Sequence, residues 1–320
     1  MSTITVNEPV QKIATRESYG KALAALGARR DDVVVLDADL SGSTKTGVFA
    51  KQHPDRFFNM GVAEANMIGV AAGLALTGKT VFASSFAMFA AGKAFEQIRQ
   101  AVALPEANVK ICASHAGVTT GEDGASHQML EDLAIMRVLP NMRVIVPADG
   151  REAEQVVDAV AEVNGPCYVR LSRMKTPLIT PDDHVFELGK ASQLREGQSI
   201  TLIATGVTVF HAVAAADELA AEGIDARVLN MSTIKPLDVG AVNAAARETA
   251  GIVTIEEAQR IGGLGSAVCE TVSGTQPCPV VRLGMTDRFG ESGDGGELLE
   301  HFGLTASHIV QAAKNLLARS

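Results

Sequence analysis

The sequence predicts an α/β protein of two domains, each a mainly parallel sheet flanked by helices. Three observations predict it. Short β-rich runs alternate with helical patterns from end to end, the rhythm of parallel βαβ construction. That rhythm breaks between Met174 and Gln198, where Pro177, Pro181, an Asp182-Asp183 pair and a glycine read as a linker. The chain of 320 residues, 47% apolar and 20% charged, is long enough for two domains with ordinary cores. We place the domains at 1–185 and 186–320.

In the first domain a helical pattern at 16–26 leads into Val33-Val34-Val35-Leu36, a β-branched run of strand length. A strand at 56–58 follows. The helix at 63–76 is apolar on nearly every face, so it is expected to be buried. Strands at 80–82, 109–112, 144–146 and 167–169 alternate with helices at 89–102, 130–139 and 152–163. The last helix opens with Asp149-Gly150-Arg151-Glu152, the spacing of a capping box. In the second domain, strands at 200–204, 226–229, 252–255 and 280–283 alternate with helices at 209–221, 239–247, 265–272 and 306–317. No short internal repeat is present.

Composition excludes several functions. A formal charge of −9 argues against general binding to nucleic acid or an anionic membrane. An anionic substrate would have to be held by a few local basic groups. Cys112, Cys167, Cys269 and Cys278 are widely spaced and form no CxxC, so neither a zinc site nor a disulfide framework is indicated. The Met1-Ser2-Thr3 start carries no basic region followed by an apolar one. The longest apolar run, 67–76, falls short of the ~20 residues a membrane span needs. These features predict a cytoplasmic location.

The richest chemistry lies in a few stretches. Gly61-Val62-Ala63-Glu64-Ala65-Asn66-Met67 puts a carboxylate where a strand meets a long small-residue helix. A buried ionised acid is costly without a partner, so Glu64 either has one or simply complements the helix dipole. Asp37-Ala38-Asp39-Leu40-Ser41-Gly42-Ser43-Thr44 follows a strand, where ligands sit in open parallel sheets; the plain alternative is a polar turn that caps a helix.

The 113–128 stretch follows another strand and holds His115, His127, Glu122, Asp123 and three glycines. Glycines let a backbone approach a ligand, and histidines suit proton transfer near neutrality. The alternative is a flexible loop; a metal site would lack a third ligand. Phe86 and Phe89, three apart, would share a helix face as core or as the wall of a flat heterocycle. Arg170, ending the last strand of the first half, could hold a phosphate or make a surface ion pair. Gly262-Gly263-Leu264-Gly265 and the 290–296 run complete no nucleotide motif and read as turns entering helices.

Together these stretches resemble the C-terminal half of the transketolase family. The resemblance rests on Asp39-Leu40 with Ser43, on 61–67, on Ser84-Ser85-Phe86-Ala87-Met88-Phe89-Ala90-Ala91-Gly92 and on Gly121-Glu122-Asp123-Gly124-Ala125-Ser126-His127-Gln128. Pro147-Ala148-Asp149-Gly150 and Leu171-Ser172-Arg173 extend it over almost the whole chain. It implies a thiamine-diphosphate-binding pyrimidine domain followed by a transketolase C-terminal domain. It also implies transfer of a two-carbon ketol unit from a ketose to an aldose.

By the same resemblance, Glu64 hydrogen-bonds the cofactor's pyrimidine nitrogen and favours the imino form, which removes the thiazolium C2 proton. Asp39, Leu40, Phe86 and Phe89 match cofactor contacts. His115 and Asp123 match groups that bind substrate hydroxyls. Arg16, Ser43, His127 and Arg173 match a phosphate-recognising set. Glu64, His127 and His115 are the implied catalytic residues. Ala83 stands where the family has a further aromatic.

The family's metal and diphosphate site is Gly-Asp-Gly followed by Asn. Here the Gly-Asp-Gly is Gly293-Asp294-Gly295, near the C-terminus, with only Asn315 after it. We read it as a decoy, and assign no metal ligand to this chain. The resemblance therefore implies a split transketolase, whose N-terminal-half subunit supplies the diphosphate site and holds Mg²⁺, as two copies of each chain. Two enzyme alternatives stay open: the β subunit of a 2-oxoacid dehydrogenase E1, and a 1-deoxyxylulose-phosphate-synthase-like subunit. A third is a non-catalytic regulatory subunit that kept the fold.

Overall fold

A computed structural model describes residues 11–319. Met1-Ser2-Thr3, read above for a leader, lies outside the described residues, as does Ser320. The fold is α/β and built on two large sheets. The first has seven strands in the order Thr233–Lys235, Arg143–Ile145, Cys167–Arg170, Val109–Ser114, Thr80–Phe86, Val33–Asp37, Phe57–Asn59. Neighbours are parallel except for the edge strand Thr233–Lys235, which runs antiparallel to Arg143–Ile145. The second has five strands, in the order Val280–Met285, Ile252–Gln259, Ile200–Ala204, Ala226–Asn230, Ser192–Arg195, the last antiparallel.

Central strands covered on both faces are mainly apolar, and Val33–Asp37, Thr80–Phe86 and Val109–Ser114 are buried at every position, Asp37 and Lys110 included. On one side of the first sheet, Tyr19, Leu23 and Leu26 of the helix Thr15–Arg29 join Val156 and Val160 of the helix Gly150–Glu162 over Val33, Val35 and Phe82. On the other side, Met67, Ile68 and Ala71 pack on Val34, Leu36 and Val81.

Every predicted strand forms, but four expectations need correction. The 174–198 segment is more than a linker: Lys175–Pro177 pairs with Lys12–Ala14, and Ser192–Arg195 is the edge of the second sheet. Prolines and polar residues suit short edge strands, where the missing donor costs nothing. The expected helix at 89–102 is a π-helical turn Met88–Lys93, a short α segment Phe95–Gln97 and a second π turn Ile98–Ala103.

The helix Glu64–Leu76 is buried on one side only. Asn66, Gly69, Val70, Gly73 and Leu76 are exposed, Leu76 by 79%. Finally, Arg170 is neither at the surface nor free for a ligand. It is 4% exposed, and its Nε donates to Asp132 Oδ2 at 2.8 Å while its Nη1 lies 3.5 Å from Glu257 Oε1. Tyr168 donates its hydroxyl proton to the same Asp132 oxygen at 2.8 Å.

That pairing clamps the halves together, because Glu257 stands on the second sheet. A second clamp is built from Glu152. Its carboxylate accepts from Ser232 Oγ at 2.6 Å, from Asn230 Nδ2 at 3.0 Å and from the Ala148 amide at 2.6 Å. Asp149 caps the same helix, accepting from the Glu152 amide at 3.0 Å, so the capping box is realised one residue askew.

Arg170→Met strands two buried carboxylates and should cost about 3–5 kcal/mol in urea unfolding. Removing the exposed partner of Asp158 with Arg29→Met should cost less than about 1 kcal/mol. Equal losses would contradict the clamp.

Candidate active site

The candidate residues gather where the parallel strands of the first sheet end. Asp39, Leu40 and Ser43 follow Val33–Asp37; Glu64 follows Phe57–Asn59; Phe86 and Phe89 finish Thr80–Phe86 and open its π turn. His115 follows Val109–Ser114 and Arg173 follows Cys167–Arg170. In a parallel sheet this edge is where ligands bind.

Asp37 shapes the first of these loops. Buried at the strand's end, it accepts from the Leu40 amide at 2.6 Å, from Thr44 Oγ1 at 2.7 Å and from Thr46 Oγ1 at 2.8 Å. Burial pushes its carboxyl up, against those hydrogen bonds. Asp39 adopts a left-handed backbone with φ 65° and accepts from Asn59 Nδ2 at 2.8 Å, which ties this loop to the one before Glu64.

The aromatic pair is organised. The Phe86 and Phe89 rings stack with centroids 6.1 Å apart and planes inclined by 16°. His115 stacks on Phe86 at 3.7 Å, and His127 meets Phe89 edge-on at 5.4 Å.

His115 is fixed at both nitrogens. Ser114 Oγ lies 2.8 Å from Nδ1, and Arg16 Nη1 lies 3.3 Å from Nε2. Guanidinium can only donate, so Nε2 accepts and Nδ1 carries the proton. Burial first, then the charges of Arg16, Arg173, His127 and Lys45, pull the His115 pKa down to about 3. His115 is therefore neutral near pH 7, with its lone pair on Nε2 facing Arg16 and its proton on Nδ1 facing Ser114.

Around it lies a cationic cluster. Arg16 donates to the Ser43 carbonyl at 2.8 Å. Burial and Arg173 lower its own pKa. Arg173 pairs with Glu122 at 2.9 Å, lies 3.8 Å from Asp123 and donates to the Thr120 carbonyl. Sequence reasoning missed Lys45, whose only signal was a lone cation inside a Gly/Ser/Thr loop.

The 113–128 segment is not a flexible loop. Residues 118–123 form 3₁₀ turns. Glu257 Oε2 accepts from the Thr119 amide at 3.0 Å and from its hydroxyl at 2.7 Å. Gln128 Nε2 donates to the carbonyls of Val118, Gly121 and Glu291 at 3.1, 3.2 and 2.8 Å. The 290–296 run packs here so closely that a Cβ on Gly290 would stand 1.8 Å from Gln128 Oε1. Asp294 caps the helix Gly295–His301, accepting from the Gly296 amide at 2.8 Å, in keeping with a turn entering a helix.

Glu64 opens its helix, 1% exposed, and its Oε2 accepts from Lys93 Nζ at 2.7 Å. This lysine, on the same π turn as Phe89, was also missed. No hydrogen bond among the described residues engages Glu64 Oε1. A shielded acid with a free oxygen, and a stacked ring pair at the same sheet edge, fit a flat nitrogen heterocycle, so the residue types present suit an aminopyrimidine. Among the described residues no cluster of three or more His, Cys, Asp or Glu side chains is placed to hold a metal ion. All four cysteines are free.

Comparison with known proteins gives this geometry a family. Residues 11–178 match the transketolase pyrimidine-binding domain, and residues 189–309 match the transketolase C-terminal domain. The chain therefore belongs to the transketolase family. It is 50% identical over 299 residues to a Methanocaldococcus jannaschii protein named as a transketolase C-terminal section, covering 92% of this chain and 94% of that one. A Clostridium 6-deoxy-6-sulfo-D-fructose transketolase subunit is 43% identical, with 95% and 94% covered. Human transketolase is 42% identical over 97% of this chain, which spans 50% of that protein. A solved split-gene transketolase, described as an inactive beta4 tetramer, superposes with a TM-score of 0.88 at 51% identity, covering 96% of this chain and 99% of that one.

The depressed His115 pKa has a sign. Between pH ~6.5 and ~3 the unfolded chain takes up a proton here that the folded chain refuses, so this residue makes stability fall as pH falls through that window. The His115 ring signals in NMR should stay unshifted from about pH 8 to 5. A midpoint near neutrality would contradict the described environment.

Proposed function

We propose that this chain is the pyrimidine-binding subunit of a two-component transketolase, moving a two-carbon ketol unit from a ketose phosphate to an aldose. One observation carries the reading. Glu64, the Phe86–Phe89 pair, His115 and Arg173 gather at one sheet edge, and Arg16 reaches His115 there at 3.3 Å. A second chain, the N-terminal-half subunit, supplies the diphosphate site and holds Mg²⁺. The assembly is α2β2 and cytoplasmic, with this chain divided near 185/186. Among the described residues, no helix is long and apolar enough to cross a membrane.

Thiamine diphosphate, when bound, supplies the electron sink for breaking the bond beside a ketose carbonyl. This chain's residues do the rest of the work on its side. Glu64 shares a proton with the ring nitrogen through its free oxygen, shielded from water. Phe86, Phe89, Asp39 and Leu40 would hold the ring. Neutral His115 and Asp123 hold substrate hydroxyls, and His127 moves a proton near the reacting carbon. Arg16, Ser43, His127 and Arg173 hold a terminal oxyanion, which puts the basic groups where an acidic protein needs them. Phosphate and sulfonate present similar oxyanions, and the clostridial relative's name joins sulfosugars to the range.

With thiamine diphosphate and Mg²⁺ but no partner chain, ketol transfer should be absent; full activity of the chain alone would refute the split reading. In the reconstituted pair, Glu64→Gln should lower kcat by about a hundredfold or more. An unchanged rate would instead favour a non-catalytic subunit. Arg173→Met should raise KM for a phosphorylated ketose about ten- to a hundredfold and leave an unphosphorylated one little changed. Equal effects on both would take Arg173 out of the anion site.

A further inference from the structure

Glu64 has a partner inside its own chain. Lys93 Nζ lies 2.7 Å from Oε2 of a carboxylate that is 1% exposed, while the lysine side chain is 53% exposed. An exposed pair of this kind would count for little. Here the acid is sealed and the cation reaches it from solvent, so the contact fixes the buried member. Glu64 is the first residue of its helix, with no capping hydrogen bond from the residue before it. Without Lys93 nothing else among the described hydrogen bonds would fix the carboxylate's rotation.

The backbone explains why this lysine arrives there. Met88–Lys93 is a π-helical turn that follows the strand ending in Phe86. One wide turn thus carries both Phe89, half of the aromatic pair, and Lys93, the anchor of the acid. Such turns recur at functional sites, where an extra residue redirects side chains. The contact is also one-sided. Lys93 takes Oε2 and leaves Oε1 without a hydrogen bond.

We infer that Lys93 is a positioning residue: it grips one oxygen of Glu64 and so presents the other to the cofactor ring. The inference rests on the functional reading above and extends it to a residue outside that assignment. Lys93 acts through Glu64.

Calorimetric titration of thiamine diphosphate into the chain combined with its partner subunit and Mg²⁺ tests this. Lys93→Met and Lys93→Gln should each weaken binding about tenfold, the worth of one charged hydrogen bond, in protein that circular dichroism shows to be folded at the titration temperature. Lys93→Arg should keep affinity within about threefold, because it restores a donor. In a Glu64→Gln background, Lys93→Met should add nothing, since the two side chains act as one unit. Binding by both Lys93→Met and Lys93→Gln as tight as wild type, or a Lys93→Met loss of the same size in both backgrounds, overturns the inference alone. Failure of the wild-type pair to bind at all overturns the functional reading, and this inference with it.

Discussion

The buried guanidinium of Arg170 is the constraint on which the site depends. A charge sealed between two sheets must be compensated, and Asp132 and Glu257 compensate it from opposite halves of the chain. Glu257 spends its second oxygen on the Thr119 amide and hydroxyl. One electrostatic unit therefore sets the distance between the halves and also pins the loop that carries His115, Asp123 and His127. The loop has little regular structure of its own. Its shape is borrowed from the second half, through Glu257, through the Glu291 carbonyl and through the tight seat of Gly290.

The electrostatics of the edge follow from that packing. An acidic chain with a charge of −9 still places Arg16, Lys45 and Arg173 around one histidine. Burial and those charges hold His115 neutral, so it adds no further positive charge to the cluster. Glu64, at the start of its helix, is buried and kept company by a single lysine. Acids and cations interleave at this edge: Arg173 faces Glu122 and Asp123, and Glu64 faces Lys93.

The central strands were legible because their positions are buried on both faces. A run such as Val33-Val34-Val35-Leu36 has no other stable use. The short edges were not. Ser192–Arg195 and Lys175–Pro177 carry polar residues or proline, because an edge needs only half its partners. The exposed side of the Glu64–Leu76 helix was misjudged, since a small apolar stripe looks the same whether it faces a core or open space. Arg170 was misjudged because a cation's burial depends on acids far away in sequence, Asp132 and Glu257. In the site, Glu64, the phenylalanines and the histidines stood out by residue type and by position after a strand. Lys45 and Lys93 did not, because an isolated lysine in a sequence looks like solvated surface until its contacts are known.

The most direct test is a crystal structure of this chain with its partner subunit and thiamine diphosphate. The account predicts the pyrimidine ring against Phe86, with its nitrogen ~3 Å from Glu64 Oε1. A ring seated anywhere else, with Glu64 still closed off behind Lys93, would contradict it.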